Sequence, residues 1–472
     1  MTTLTPPSAH TPIHTPVPMP MARALPADDG QRALLHNEVH ARPPARIRLP
    51  AMVVYVAVLN EGVSREAEWA HLRALPGQQD LPLEALSGNF VRLRFPTHTL
   101  KWERHTEFSR YSIVQALPTH ALSGDPTSHG DLDDDDGALA AEREAALMRS
   151  LAIDLDWLAS IPGRTVAAIM MAMVHGDVDD TAAMKATAQP WFEGRDTLAS
   201  LLGIRRSCAM TDFRLRDSGF ERLLVISPTN TSELRVGRIS QRLLELETYR
   251  LMALRGLPLA KELAPMLGEA EASLADITAR MENKEASDQE LLDKLIALAA
   301  TVERATATHL YRFTATQAYY ALVEQRIEQL RETPIPGTQT VGEFVLRRVS
   351  PAMATVRATA QRLGSLSQRI ERASALLRTR VDIATESQNQ TLLEQLTHGQ
   401  ELQLRLQTTV EGLSIAAIAY YVVSLILYVG KAAKAAGLPV NPELLAGALI
   451  PLVLLGIWWG TRQLHKKLHA EP

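Results

Sequence analysis

Cysteine is nearly missing from the chain. Cys208 stands alone in 472 residues, which excludes an intramolecular disulfide framework and suits a reducing cytoplasm. With no CxxC or Cys/His cluster near it, Cys208 reads as a small buried hydrophobe. An excess of positive charge is missing too. The 49 Lys and Arg against 53 Asp and Glu leave a net charge of -4, so nucleic acid is not an expected partner. Nor is there a Walker lysine loop, a GxSxG elbow, a GxGxxG after a strand or a kinase set, and no cofactor is indicated. The opening MTTLTPPSAHTPIHTPVPMP lacks a basic stretch followed by an unbroken apolar run. The bulk of the protein is therefore expected to stay unexported, behind a disordered, Pro-rich tail over residues 1–30.

Charge is also absent, entirely, from two runs near the C-terminus: LSIAAIAYYVVSLILYVG (413–430) and LLAGALIPLVLLGIWWG (444–460). Each would be about 26 Å long as a helix, within the range of membrane-spanning helices. Each holds nine Leu, Ile or Val residues, worth roughly -0.3 to -0.6 kcal/mol apiece on insertion, against about +2.5 to +3.5 for one central lysine. Lys431 and Lys434 fall where the first run must end. Asn441-Pro442-Glu443 then offers a cap, a first-turn proline and a favourable charge for the second. Trp458 and Trp459 sit where an aromatic belt belongs, and Gly456-x-x-x-Gly460 is compatible with close helix packing. The expectation is a transmembrane hairpin within 412–461, with the lipid bilayer as partner. Arg405 before it and Arg462, Lys466 and Lys467 in the basic tail (462–472) outnumber the two loop lysines. Both termini are therefore expected in the cytoplasm, with the protein integral to the bacterial inner membrane.

Residues 31–230 alternate apparent strands and helices. AMVVYVAVL (51–59), FVRLRF (90–95), TVAAIMMAMV (165–174) and RLLVISP (222–228) read as strands; SREAEWAHLRAL and EREAALMRSLAIDLDWLASI have helical spacing. The fold class is therefore α+β or mixed α/β for this cytoplasmic domain. The stretch 123–137, SGDPTSHGDLDDDDG, is a solvated acidic loop without EF-hand spacing. From 231 to 411 the pattern is long and helical, punctuated by Pro258 and Pro265 and broken at PIPGTQT, where Thr340 caps the next helix. Leu363, Leu366, Ile370, Ala373 and Leu377 step by three and four in a coiled-coil-like stripe, a route to a homo-oligomer. An ordinary antiparallel bundle would carry the same stripe.

Two polar clusters hold the candidate chemistry. In LLHNEVHARPP (34–44), Asp28 and Asp29 offer a cap for a short helix that Pro43 ends. On that helix His36 and His40 share a face and Glu38 points elsewhere; on a strand all three would share one. His36, Glu38 and His40 are the metal candidates, yet the pattern is not HExxH, and a third ligand must come from elsewhere. A structural or partner-docking motif is the commoner use of such residues. In LKWERHTEFSRYS (100–112), Trp102, Glu103, Arg104, His105 and Glu107 alternate as on a strand with one hydrated face. With His36, Asn37, Glu38, His40 and Arg42 they form one functional cluster only if the fold brings them together. Otherwise they are a surface charge ladder.

LLHNEVHARPP and LKWERHTEFSRYS, with RLLELETYRLMAL and VEGLSIAAIAYYVVSLILYVGKA, resemble an uncharacterised bacterial family. Its members contain a domain of unknown function and are described only as predicted membrane-anchored proteins. The resemblance runs from about residue 30 to 465. It implies membrane anchoring and supplies no activity. The order of parts is also similar to CorA-type divalent-cation channels, but that is analogy of layout. The loop GKAAKAAGLPVNP lacks the channel's Gly-Met-Asn motif and carries two lysines that would repel divalent cations. The leading expectation is a membrane-anchored scaffold or regulatory module without an enzymatic site. A CorA-like oligomeric channel and a membrane-tethered metal-dependent enzyme using His36 and His40 are the alternatives.

Overall fold

The computed structural model describes residues 29–32, 35–36, 43–123, 135–203, 206–437, 439 and 441–468. They divide into two compact units, one of Met1–Glu271 with Thr301–Ser367, the other of Ala272–Ala300 with Gln368–Pro472.

The first unit is built on a nine-stranded sheet in the order β2-β3-β4-β1-β5-β8-β7-β6-β9. Its strands are β1 (Ala51–Leu59), β2 (Phe90–Arg94), β3 (His98–Arg104), β4 (Phe108–Ala116), β5 (Arg164–His175), β6 (Leu198–Leu202), β7 (Ser207–Leu215), β8 (Glu221–Ser227) and β9 (Thr333–Pro334). Pairing is antiparallel except between β5 and β8. All nine residues of β1 are buried. That is why its sequence is an unbroken apolar run, since a strand covered on both faces loses the polar alternation.

One face of the sheet carries Val54, Leu100, Trp102, Tyr111, Met170 and Leu224 into an apolar core. Helices α1 (Arg65–Arg73), α2 (Asp135–Arg149), α3 (Leu155–Ala159) and α4 (Thr181–Phe192) close that core. The reading of 142–161 as one helical stretch is corrected here. Residues 150–154 separate α2 from α3, because the Asp154 side chain accepts from the N–H groups of Asp156 and Trp157 and starts a new helix. The opposite face meets α5 (Glu233–Leu254) and the part of α7 (Asp288–Leu330) that follows Thr301. There the Tyr55 hydroxyl lies 2.7 Å from Thr248 Oγ1, and Phe108 packs near Tyr249 and Tyr319.

Helix α6 (Gly256–Asn283) contains Pro265 within its length. Only the change at Arg255–Gly256 breaks the chain, so Pro258 falls in a first turn where its missing N–H costs nothing. Thr340 does cap, accepting from the N–H of Glu343 at 3.1 Å. It opens α8 (Val341–Ala435), a single helix of 95 residues.

In the second unit, Leu274, Ile277, Leu291, Leu295, Ile370 and Leu377 are buried. Arg380 donates to the Met281 carbonyl at 3.0 Å and pairs with Asp288 at 3.1 Å. Every residue from 382 to 410 is exposed. The last part of α8 and the helix α9 (Pro442–Leu468) each contain a window long and apolar enough to cross a membrane, and only 6% of each window is buried. Gly430 lets Pro442 approach where the two helices meet: a Cβ there would lie 3.3 Å from the proline Cα. The fold is thus a mixed α/β sheet domain, followed by long helices and a terminal helix pair apolar enough to span a membrane.

Candidate functional site

Period-two alternation sorts the residues of β2, β3 and β4. Val91, Leu93, Leu100, Trp102, Tyr111 and Ile113 go to the apolar core. Arg92, Arg94, Thr99, Lys101, Glu103, Arg110 and Ser112 take the other face. Register then aligns them in rows across the strands. Arg92 stands opposite Lys101, Lys101 opposite Ser112, and Ser112 opposite Tyr55. In the next row Arg94, Thr99, Val114 and Val53 stand side by side, and Glu103 faces Arg110.

Helix α5 and the segment 43–48 roof this floor. Gly237 makes the roof possible: a Cβ there would come within 1.7 Å of the Ala45 carbonyl oxygen. The segment is tied down at both ends. The Ile47 N–H donates to the Glu233 carbonyl at 3.1 Å, and an Arg92 guanidinium N–H donates to the Pro43 carbonyl at 3.0 Å. Between floor and roof lies a cavity of about 520 Å³. Arg46, Arg92, Arg94, Lys101 and Arg110 line it, and among the described residues no carboxylate does.

Beneath the cavity the charges are paired. Arg110 Nε donates to Glu103 Oε2 at 2.5 Å, and Lys101 Nζ lies 3.0 Å from the same oxygen. Glu245 on α5 accepts from Arg110 at 3.2 Å and from Arg326 at 2.6 Å. Burial alone would raise the Glu103 carboxyl, but Arg110 and Lys101 prevail and bring it down to about 2. Burial also pushes the Lys101 ammonium below the usual lysine range, against the pull of Glu103. Further along the same face, Glu221 faces Glu247 and Arg250, with Arg250 Nη2 3.6 Å from Glu221 Oε1. Burial and the neighbouring Glu247 carboxylate push the Glu221 carboxyl up to about 8.

The residues singled out from the sequence scatter. Asp29 Oδ1 accepts from the N–H groups of Gln31 and Arg32, each at 2.9 Å, so the expected cap forms and His36 is helical and exposed. Asn37, Glu38, His40 and Arg42 lie outside the described residues. The stretch 100–112 is two strands and a turn, which corrects the single-strand reading. His105 N–H donates to the Phe108 carbonyl and reverses the chain. Its charges are not a hydrated face either: Glu103 is fully buried because cations on two strands answer it. Trp102 is buried in the apolar core, Arg104 pairs with Glu68, the His105 ring stacks on Phe108, and Glu107 pairs with Arg312. Among these residues, therefore, only Glu103 belongs to the ionic layer under the cavity. The two motifs do meet there, through Pro43 and Pro44 of the first and Lys101 of the second. Among the described residues no group of three or more His, Cys, Asp or Glu side chains is placed to hold a metal. Cys208 is buried, and burial pushes its thiol up to about 12.

The sequence alone does not single out the cavity's cations. FVRLR did place Arg92 and Arg94 on one face, but the register that sets Lys101 beside Arg92 has no local signature.

Fold and site together define a sheet domain with a cationic cavity, joined to a helix pair apolar enough to span a membrane. The chain belongs to a family described as protein of unknown function, DUF3422, which matches residues 27–468. No curated protein and no solved structure matches it.

Proposed function

We propose that this is a membrane-anchored regulatory or scaffold protein of the bacterial inner membrane, with its sheet domain and both termini in the cytoplasm. The observation that carries this is the uncovered apolar surface of the terminal helix pair. Leu413, Tyr421, Leu425, Leu444, Leu455 and Trp459 are each more than 60% exposed. In water such a surface favours aggregation; in hydrocarbon it is matched to its solvent. Both segments are helical, so their backbone hydrogen bonds fall within each segment, as a bilayer requires, except at Pro451, which has no N–H to give the Gly447 carbonyl. The exposed stretch 382–410, with Leu393, Leu396, Leu404 and Leu406 turned to solvent, is the surface through which copies associate.

Fractionation of cells expressing the full chain tests the anchoring. The protein stays in the membrane pellet through an alkaline carbonate wash and leaves it only with detergent. A C-terminal alkaline phosphatase fusion is inactive, and the matching fluorescent fusion is bright. A soluble protein, or an active phosphatase fusion, overturns the reading. Light scattering in detergent reads the association, and a monomer at all concentrations removes it.

A further inference from the structure

We infer that the cavity between β2, β3, β4, α5 and residues 43–47 binds a small organic anion bearing at least two negative charges, a phosphate ester or diphosphate. The first ground is the charge left unanswered among the described residues. Glu103 and Glu245 serve Lys101, Arg110 and Arg326. Among the described residues no carboxylate pairs with Arg46, Arg92 or Arg94, although all three line the same cavity.

The second ground is that the arrangement opposes stability. Arg92 and Lys101 stand directly opposite on neighbouring strands, and like charges so placed are destabilising. Lys101 is 7% exposed, so water does little to screen it. A fold has no structural need for this row of cations. An anion lying over it would remove the repulsion and complete the pairing.

The third ground is shape and chemistry. About 520 Å³ falls within the range of small-molecule sites. Guanidinium forks match phosphate oxygens two at a time, and three unanswered arginines exceed what one carboxylate can use. The wall formed by Ile47, Val53, Leu234 and Leu244 is apolar and suits an uncharged aliphatic body. Tyr55 is the one aromatic side chain among the described lining residues, and it is 1% exposed with its hydroxyl held by Thr248, so it offers no stacking platform. The site lies wholly within the first unit, and its test does not depend on where the hairpin resides.

Titration calorimetry on the full chain in a nonionic detergent provides that test. The probes are inorganic pyrophosphate and, as the lipid source of the same chemistry, dioctanoyl phosphatidic acid. Pyrophosphate is expected to bind once per chain, more weakly as salt is raised. Its affinity is expected to fall at least tenfold in Arg92→Gln/Arg94→Gln and to be unchanged in Arg164→Gln, whose side chain is 76% exposed away from the cavity. Should the double variant fail to fold, Arg46→Gln, altered on the exposed rim, is expected to lose affinity severalfold. Binding of the lipid alone with the same variant pattern supports the site and names a headgroup as its source. Failure of both probes to bind at millimolar concentration, or equal affinities in all variants, overturns the inference.

Discussion

Across β2, β3 and β4 the two faces of one sheet are held by opposite means. On one, Leu100, Trp102, Tyr111 and Ile113 are fully buried among aliphatic side chains, and the stabilisation is non-directional burial at about 25 cal/mol per Å². On the other, Lys101, Glu103 and Arg110 are buried nearly as well, yet their removal from water is offset only while each has its partner. The apolar face tolerates approximate packing. The ionic face fails as a unit when one charge goes. Stability alone would favour the first solution on both sides, since a matched apolar set needs no partners.

The largest effects compare the faces directly. Trp102→Ala should cost about 3 to 5 kcal/mol through lost burial and a cavity. Glu103→Ala should cost about as much for a different reason, because Lys101 and Arg110 are left buried and unanswered. Joint replacement separates the two causes: Lys101→Met/Glu103→Leu/Arg110→Met should recover most of the Glu103→Ala loss, since a matched apolar set needs no partners. Urea denaturation of the full chain in detergent reads all three. If the triple variant is no more stable than Glu103→Ala, the ionic face is not the charge-paired layer described.

Acid and alkali should pull the ionic face in opposite directions. Glu103 is depressed to about 2 in the fold, so its contribution is present above the ordinary carboxyl value of 4.5 and is lost as pH falls towards 2. Glu221 is raised to about 8. Its contribution is full below 4.5 and is lost as pH rises through 8, on the order of a few kcal/mol. Glu221→Gln should flatten the alkaline limb, which runs from about pH 4.5 to 8, and leave the acid limb below it unchanged. An unaltered alkaline limb would show that Glu221 is ionised throughout.

Gly237→Ala should cost about 1 to 3 kcal/mol by overpacking, because the new methyl meets the Ala45 carbonyl oxygen. The damage belongs to the ionic face alone. Hydrogen exchange should quicken at Ile47, whose N–H is bonded to Glu233, and stay unchanged at Trp102. Uniform quickening would mean that the segment 43–48 is no separate roof.

How legible each face was in the sequence follows from the same physics. β1 was readable end to end because double burial leaves a continuous apolar run, and the two charge-free segments were readable because a single lysine would have spoiled either. The Asp29 cap and the Thr340 cap were local signals and stand where expected. The β3–β4 hairpin was not legible, since alternation continues through His105-Thr106-Glu107 without the Asn-Gly or Asp-Gly pair that marks a tight turn. The burial of Glu103 was hidden for a deeper reason. Charges read as hydrated until their partners are known, and Glu245, which answers Arg110, lies 135 residues away. Pro265 misled similarly: its cost in a helix interior is real, but tertiary packing of α6 overrides it.

The smallest expected effect tests the boundary between the stabilising part of the ionic face and the part left over. Arg46 and Arg94 are exposed and face no carboxylate among the described residues. Arg94→Ala and Arg46→Ala should therefore change stability by less than about 0.5 kcal/mol, and in low salt should raise it slightly as repulsion with Arg92 and Lys101 is relieved. Denaturation midpoints at about 20 mM and 500 mM salt measure this, with the two variants converging on the parent as salt screens the repulsion. A clear loss of stability would show that these arginines hold the fold together like Arg110. A neutral or slightly favourable change would leave them without a structural task, and cations kept at a cavity against their neighbours' repulsion are what a bound anion would use.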